Sequence, residues 1–343
     1  VSSVSRERLV DGYDLLIFDL DGVVYLIDRP IPGAVEAISQ LHAEGRKLAY
    51  ATNNASRRSS EVAALLTGMG IVARTEEVLT SAAATAEVLA ERLAPGTPVL
   101  VVGAEALRAE VTAAGLVPVG RADDAPEAVV QGYGPQVGWT ELAEASVAVR
   151  AGALWIATNA DRTLPSPRGP LPGNGSLLAV LRTALDRDPD LVVGKPEPTL
   201  FHTAAHRVGA SRPLVVGDRL DTDIEGAVQA GMDSLLVLTG VSTAADLLAA
   251  ASTTRPTYVA HDLGGLFDLA GVVRLPSSPE YSAERYTNGW RIAGGDGARQ
   301  LTGEGSALDA LALLCAEAWG GGEPVRGGGE AAREVLREFG LPY

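Results

Sequence analysis

Leu15-Leu16-Ile17-Phe18-Asp19-Leu20-Asp21-Gly22-Val23-Val24-Tyr25 is the stretch on which the reading of this chain turns. An unbroken apolar run of this kind reads as a strand buried on both faces, as in a parallel sheet. Carboxylates inside such a strand are costly unless paired or bound to a metal. Asp19 and Asp21 are therefore expected at its carboxyl end, where open α/β sheets place their ligands. Residues i and i+2 of an extended chain point the same way, so both aspartates can face one reacting group. Gly22 permits a sharp turn behind them. Taken alone, Asp-x-Asp-Gly equally describes a strand that ends in a turn.

Other segments repeat the pattern. Lys47–Ala51 is a short strand that runs into Thr52-Asn53-Asn54. Leu191-Val192-Val193-Gly194 leads to Lys195-Pro196. Pro213-Leu214-Val215-Val216-Gly217 leads to Asp218, with Asp223 close behind. Helices are expected at Ala34–His42, Glu61–Leu66 and through Ala230, with further strands at Ser234–Leu238 and Thr257–Val259. Strands separated by helices indicate a doubly wound parallel sheet. Right-handed crossovers then bring the strand ends to one edge. Carboxylates gathered there with one lysine and a hydroxyl suit a hard cation such as Mg²⁺.

Between the second and third of these strand ends the alternation makes a block of its own. Helices are expected at Ala82–Leu93, Ala104–Ala114, Thr140–Ala151 and Ser176–Leu185, and strands at Pro98–Gly103, Ala128–Gly132 and Leu154–Ala157. A Pro- and Gly-rich loop runs from Leu164 to Gly175, and its composition argues against regular structure. Leu191 onward is expected to resume the first pattern. After Gly271 the texture changes. Pro276-Ser277-Ser278-Pro279 reads as a linker. Arg285–Thr287 and Trp290–Ile292 read as a hairpin around Asn288-Gly289, followed by helices at Ser306–Trp319 and Glu330–Phe339. The first of these carries an apolar stripe of Leu308, Leu311, Ala312, Cys315 and Trp319 that must bury against something.

Composition narrows the classes. With 343 residues, 46% of them hydrophobic, the chain can build two or three cores. A formal charge of −15 argues against nucleic acid and against an anionic membrane as partners. Cys315 is the single cysteine, which rules out an intramolecular disulfide framework. No apolar run has the length of a signal core or a membrane span. A cytoplasmic setting is expected. The four histidines lack zinc-ligand spacing.

The four strand-end motifs resemble those of the haloacid dehalogenase superfamily of phosphatases. They read Asp19-Leu20-Asp21-Gly22, Thr52-Asn53-Asn54, Lys195-Pro196 and Gly217-Asp218-Arg219-Leu220-Asp221-Thr222-Asp223-Ile224. Their spelling is similar to the subgroup with a large cap between the second and third motifs, which includes phosphoglycolate, pyridoxal phosphate, nucleotide and nitrophenyl phosphate phosphatases. The resemblance covers Tyr13 to about Ala270. It implies a catalytic core at 1–81 and 189–270, an inserted α/β cap at 82–188 and a small α+β domain at 271–343.

The resemblance also implies roles. Asp19 would be the nucleophile that forms an aspartyl phosphate, and Asp21 the acid and base. Asp19, the Asp21 carbonyl and Asp218 would hold Mg²⁺, and Asp223 would support it or orient Lys195. Thr52 and the Asn53 amide would hold phosphate oxygens, and Asn54 would also contact the substrate. Lys195 would neutralise charge on Asp19 and the phosphate, and Asp221 would face solvent. The cap loop that reaches a leaving group corresponds to Thr158–Pro165 and Pro172–Ser176, with Asp161, Arg162 and Leu164 as substrate contacts. The substrate implied is a small phosphorylated metabolite. The added tail resembles that of mycobacterial glycerol-3-phosphate phosphatases, so glycerol 3-phosphate leads. Phosphoglycolate or a broad range of phosphomonoesters is the alternative. A non-catalytic binding module fits less well because Asp19 and Asp21 are both present, and a dehalogenase would not need Asp21.

Gln300-Leu301-Thr302-Gly303-Glu304-Gly305 resembles the Gln-x-x-Gly-x-Gly turn of GCN5-related acetyltransferases. At about seventy residues the tail is too short for a full domain of that family, and Glu304 adds negative charge where an anion should sit. The tail is therefore expected to be truncated and inactive in acetyl transfer, serving packing or self-association. Any homo-oligomer would use the cap or this tail.

Overall fold

Four parallel apolar strands and one antiparallel edge strand form the sheet of the first unit. In this computed structural model residues 8–164, 166, 168–276, 289–295, 298–322 and 324–342 are described. The chain divides into two compact units. The first comprises 1–26, 30–47 and 210–343, and the second 27–29 and 48–209.

In the first unit the strands lie in the order Val272–Arg274, Tyr258–Ala260, Asp233–Val237, Pro213–Gly217 and Leu15–Phe18. Only Val272–Arg274 is antiparallel to its neighbour, and its residues escaped the sequence reading. Leu15–Phe18 and Leu214–Val216 are fully buried, as expected for strands covered on both faces. Phe18 pairs with Val216, so Asp19 lies across from Gly217, and Asp218 follows one residue later on the adjacent strand. Helix Ala34–Ala43 buries Ala34, Ala37, Ile38 and Leu41. That spacing is the i, i+3, i+4, i+7 stripe of a helix lying on a core.

The tail belongs to this unit. Trp290–Gly295 pairs antiparallel with Ala298–Gly303, and Val325–Gly327 adds a parallel third strand. Among the described residues, the hairpin partner of Trp290–Ile292 is Ala298–Gly303. Residues 285–288 lie outside the described residues, as do 277–279 of the expected linker. Helix Ala307–Trp319 packs with two faces. Leu308, Leu311, Ala312, Leu314 and Cys315 share one buried cluster with Leu236, Leu247 and Val259 of the central sheet and its helices. Ala310 and Leu313 pack with Trp290, Leu301 and Val335 inside the tail. The apolar stripe read from the sequence thus has its partner. Trp319 fixes the end of the helix by donating from Nε1 to the carbonyl of Leu247 at 3.1 Å, beneath the guanidinium of Arg255.

In the second unit Leu48–Thr52 pairs in parallel with Val78–Thr80. A separate five-stranded sheet runs in the order Leu191–Val192, Leu154–Ala157, Ala128–Gln131, Pro98–Val102 and Val117–Val119, all parallel. Helices Glu105–Ala113, Trp139–Arg150 and Asn174–Leu185 connect its strands. Leu191–Val192, expected to return the chain to the first sheet, is the edge strand here. The helix before it is an ordinary parallel crossover from Leu154–Ala157. The centre is Trp155, fully buried, whose Nε1 donates to Oε1 of buried Gln131 at 3.1 Å. The Pro/Gly-rich loop is also more ordered than its composition suggests. Thr163–Leu164 pairs with Leu171–Pro172, and the following helix begins at Asn174 rather than Ser176. Pro165 and Pro167 lie outside the described residues.

Cys315 is fully buried, and burial pushes its thiol up from the ordinary range. A thiol reagent at pH 8 is expected to leave the native protein unlabelled and to modify one thiol per chain on denaturation. Leu311→Ala should lower unfolding stability by about 2–5 kcal/mol and speed that labelling. Rapid labelling of the native chain would show that the tail helix is not seated on the sheet.

Candidate active site

Asp19 follows its strand directly, and its N–H donates to the carbonyl of Val216 at 2.9 Å. The next turn is tight. Leu20 O accepts from Val24 and Tyr25, while the Gly22 N–H donates to Tyr25 O at 2.7 Å. Asp218 follows the neighbouring strand and is fully buried. Leu220–Ile224 then forms one π-type turn, whose wide spacing returns Asp223 toward the strand end. One Asp223 oxygen accepts the Arg219 N–H at 3.1 Å.

The outcome is a cluster in which Asp19, Asp218 and Asp223 each offer an oxygen, all within 4.8 Å of one another. Negative charges this close repel in a poorly solvated site and call for a cation. An all-oxygen donor set of this kind fits a hard divalent ion such as Mg²⁺. The Asp21 carboxylate stands outside this triplet. Asp221 points to solvent at 68% side-chain exposure and pairs with Arg219.

The second unit holds Thr52, Asn53, Asn54, Lys195 and the residues of the 158–176 loops. Asn53 is their hub. Its Nδ2 donates to the Asp161 carboxylate at 3.0 and 3.1 Å and to the Lys195 carbonyl at 3.0 Å. Its Oδ1 accepts the Lys195 N–H at 2.8 Å. Lys195 is buried, and its Nζ donates to the carbonyl of Ala51 at 3.1 Å. A buried ammonium is tolerated only with such partners. Thr52 Oγ1 accepts the Asn54 N–H at 3.2 Å, and Asn54 Oδ1 accepts from both N–H and hydroxyl of Ser56 at 2.8 Å. Asp161 is half-buried, whereas Arg162 and Thr163 are exposed and Leu164 is half-buried in its short hairpin.

Sequence reasoning missed part of this network. The Asn53 carbonyl accepts from Ser81 Oγ and from Asn159 Nδ2, both at 2.7 Å. Asn174 Nδ2 donates to the carbonyl of Asn159 at 2.7 Å and to that of Gln131 at 3.2 Å. Asn159 and Asn174 sat in segments read as loop. Their signal was available only as polar residues beside apolar strand ends.

Comparison with known proteins gives the following. Residues 16–117 match the family model for haloacid dehalogenase-like hydrolases, and residues 192–266 match a second, HAD-hydrolase-like model. Residues 287–341 match a GCN5-related N-acetyltransferase-like domain. The D-glycerol 3-phosphate phosphatase of Mycobacterium tuberculosis is 50% identical over 303 residues, 88% of this chain and 82% of that protein. The crystal structure of glycerol phosphate phosphatase from Mycobacterium tuberculosis in complex with magnesium superposes with a TM-score of 0.89. It is 45% identical, over 98% of this chain and 100% of that one. The 4-nitrophenylphosphatase of Thermotoga maritima superposes with a TM-score of 0.71 at 33% identity, over 76% of this chain and 98% of that one.

Asp218→Ala removes a charged oxygen donor from the triplet. It should weaken Mg²⁺ binding at least about tenfold in a calorimetric titration, the loss a ligand or its immediate support carries. Undiminished binding would exclude the triplet as the ion's seat.

Proposed function

This chain belongs to the haloacid dehalogenase-like hydrolases and is a phosphatase, and we propose that it hydrolyses glycerol 3-phosphate to glycerol and phosphate with Mg²⁺ as cofactor. The observation that carries the substrate is the tail. The mycobacterial glycerol phosphate phosphatase matches nearly the whole of this chain, whereas the nitrophenylphosphatase matches about three quarters. The nitrophenylphosphatase supports the second reading, a broader range of small phosphomonoesters or phosphoglycolate.

In the proposed reaction an Asp19 oxygen attacks phosphorus and the bond from phosphorus to the glycerol oxygen breaks. Asp21 gives its proton to the departing alkoxide. Water then attacks the aspartyl phosphate, Asp21 takes back a proton, and inorganic phosphate leaves with Asp19 restored. When bound to Asp19, the Asp21 carbonyl and Asp218, with Asp223 beside them, Mg²⁺ would screen carboxylate charge from phosphate charge. Thr52, Asn54 and Lys195 serve the phosphate oxygens. The side-chain amide of Asn53 is already engaged by Asp161 and Lys195, so its phosphate contact falls to its backbone N–H. Asp161, Arg162 and Leu164 are the substrate contacts of the inserted cap, whose sheet takes in Leu191–Val192 as its edge strand. We place the reaction in the cytoplasm, where a small metabolite and a lone reduced cysteine belong.

Phosphate release over a panel of small phosphates, with Mg²⁺ and with chelator, tests this reading. Glycerol 3-phosphate should show the highest kcat/KM, and chelator should stop turnover. Asp19→Asn should abolish release while its circular dichroism spectrum stays native, and Asp21→Asn should slow both half-reactions. Turnover by folded Asp19→Asn refutes the mechanism. A much higher kcat/KM for phosphoglycolate or a nucleotide refutes the substrate alone.

A further inference from the structure

Two main-chain donors to Asp218 come from outside the four motifs, from Val241 and Ser242. Strand Asp233–Val237 continues into Leu238-Thr239-Gly240-Val241-Ser242 before helix Ala244–Leu248. Within this loop the Val241 N–H donates to Oδ2 of Asp218 at 2.7 Å. The Ser242 N–H donates to the Asp218 carbonyl at 3.0 Å, and Ser242 Oγ accepts the Leu220 N–H at 3.0 Å. The Thr239 hydroxyl donates to the carbonyl of Gly22, in the turn after Asp21, at 2.6 Å. One short loop therefore grips both aspartate motifs of the first unit.

Space tells the same story. A Cβ added to Gly240 would collide with Oδ2 of Asp218 and stand 2.7 Å from its Cβ. A Cβ added to Gly22 would collide with the same oxygen and stand 3.1 Å from the Cα of Gly240. Gly22 also has φ of +86°, a left-handed conformation that favours glycine. The Asp218 carboxylate thus lies between two bare stretches of backbone. The Val241 side chain is 62% exposed, so what this position contributes inward is its main-chain N–H. The far end of the loop is fixed as well. Thr243 Oγ1 accepts the Asp246 N–H at 3.2 Å, and Asp246 accepts the Thr243 N–H at 2.9 Å.

We propose that Thr239–Ser242 is a positioning clamp that sets the orientation of the Asp218 carboxylate for the divalent ion and locks it to the Asp19–Gly22 turn. A donor on one oxygen of a ligating carboxylate fixes its rotation about the Cβ–Cγ bond, and losing such support typically costs 10–100-fold in metal affinity. Val241 N–H is that donor, and Gly240 is the residue that lets the backbone approach closely enough to offer it. Thr239 and Gly240 act through Asp218 and Gly22, so they are positioning residues. The clamp rests on the phosphatase reading only for the identity of the ion.

The test is Mg²⁺ binding by calorimetry on the full chain, beside thermal melts and the dependence of phosphate release on Mg²⁺ concentration. Gly240→Ala should raise the Mg²⁺ Kd about 10–100-fold. Thr239→Val keeps the volume and loses the hydroxyl, and should raise the Kd and the Mg²⁺ concentration for half-maximal rate together. Thr239→Ser should restore both. If Gly240→Ala does not fold, the Val and Ser pair at 239 decides. Folded variants that bind Mg²⁺ as the parent does, or a Ser variant no better than Val, overturn the clamp. A parent protein that binds no Mg²⁺ overturns instead the reading beneath it.

Discussion

Three carboxylates held with their oxygens within 4.8 Å, two of them buried, are the constraint around which the first unit is built. Such a cluster is repulsive in any poorly solvated site, and its ionised form survives through donors and a cation. The fold supplies main-chain donors to two of the three. Arg219 N–H serves Asp223 and Val241 N–H serves Asp218. Main-chain donors carry no side-chain rotamer freedom, so they impose orientation with little entropic cost on binding. They also carry no full charge of their own, so they orient a carboxylate without neutralising it.

In the second unit the same problem is solved with neutral groups. Asn53 uses a side-chain donor and a side-chain acceptor to join Asp161 and both main-chain groups of Lys195. Its own carbonyl is claimed by Ser81 and Asn159. An amide can satisfy donors and acceptors at once, which a carboxylate or a lysine cannot. Truncating it would strand several polar groups together, so the network stands or falls as a unit.

The tail shows how a sequence resemblance and a physical role can diverge. Residues 287–341 match an acetyltransferase-like family model, yet Gln300–Gly303 lies within a strand of a three-stranded sheet whose helix is turned onto the central sheet. That helix packs beside Ala244–Leu248, and Trp319 donates to Leu247. Ala244–Leu248 begins one residue after the loop that grips Asp218. The tail therefore braces the element that carries the clamp, which gives it a packing role independent of any acyl chemistry.

Apolar strands ending in Asp, Thr-Asn, Gly-Lys and Gly-Asp were legible because buried parallel strands and the polar groups at their ends leave opposite marks on composition. The carboxylates, the alternation of strands and helices, and the apolar stripe of Leu308, Leu311 and Cys315 could all be read from local pattern. The edge strand Val272–Arg274 and the seating of Leu191–Val192 in the second sheet could not. Two or three residues carry too little periodicity to say which neighbour they join. Asn53 was legible as a polar residue at a strand end, but that its side chain faces Asp161 and Lys195 depends on contacts more than a hundred residues apart. The Thr239–Ser242 loop left no chemical signature because its work is done by backbone N–H groups and by the absence of a Cβ at Gly240. The sequence by itself determined which polar and charged groups end the apolar strands. Which atoms hold those groups in place was decided only by the tertiary structure, because main-chain donors and close approaches are set by geometry and are nearly silent in residue type.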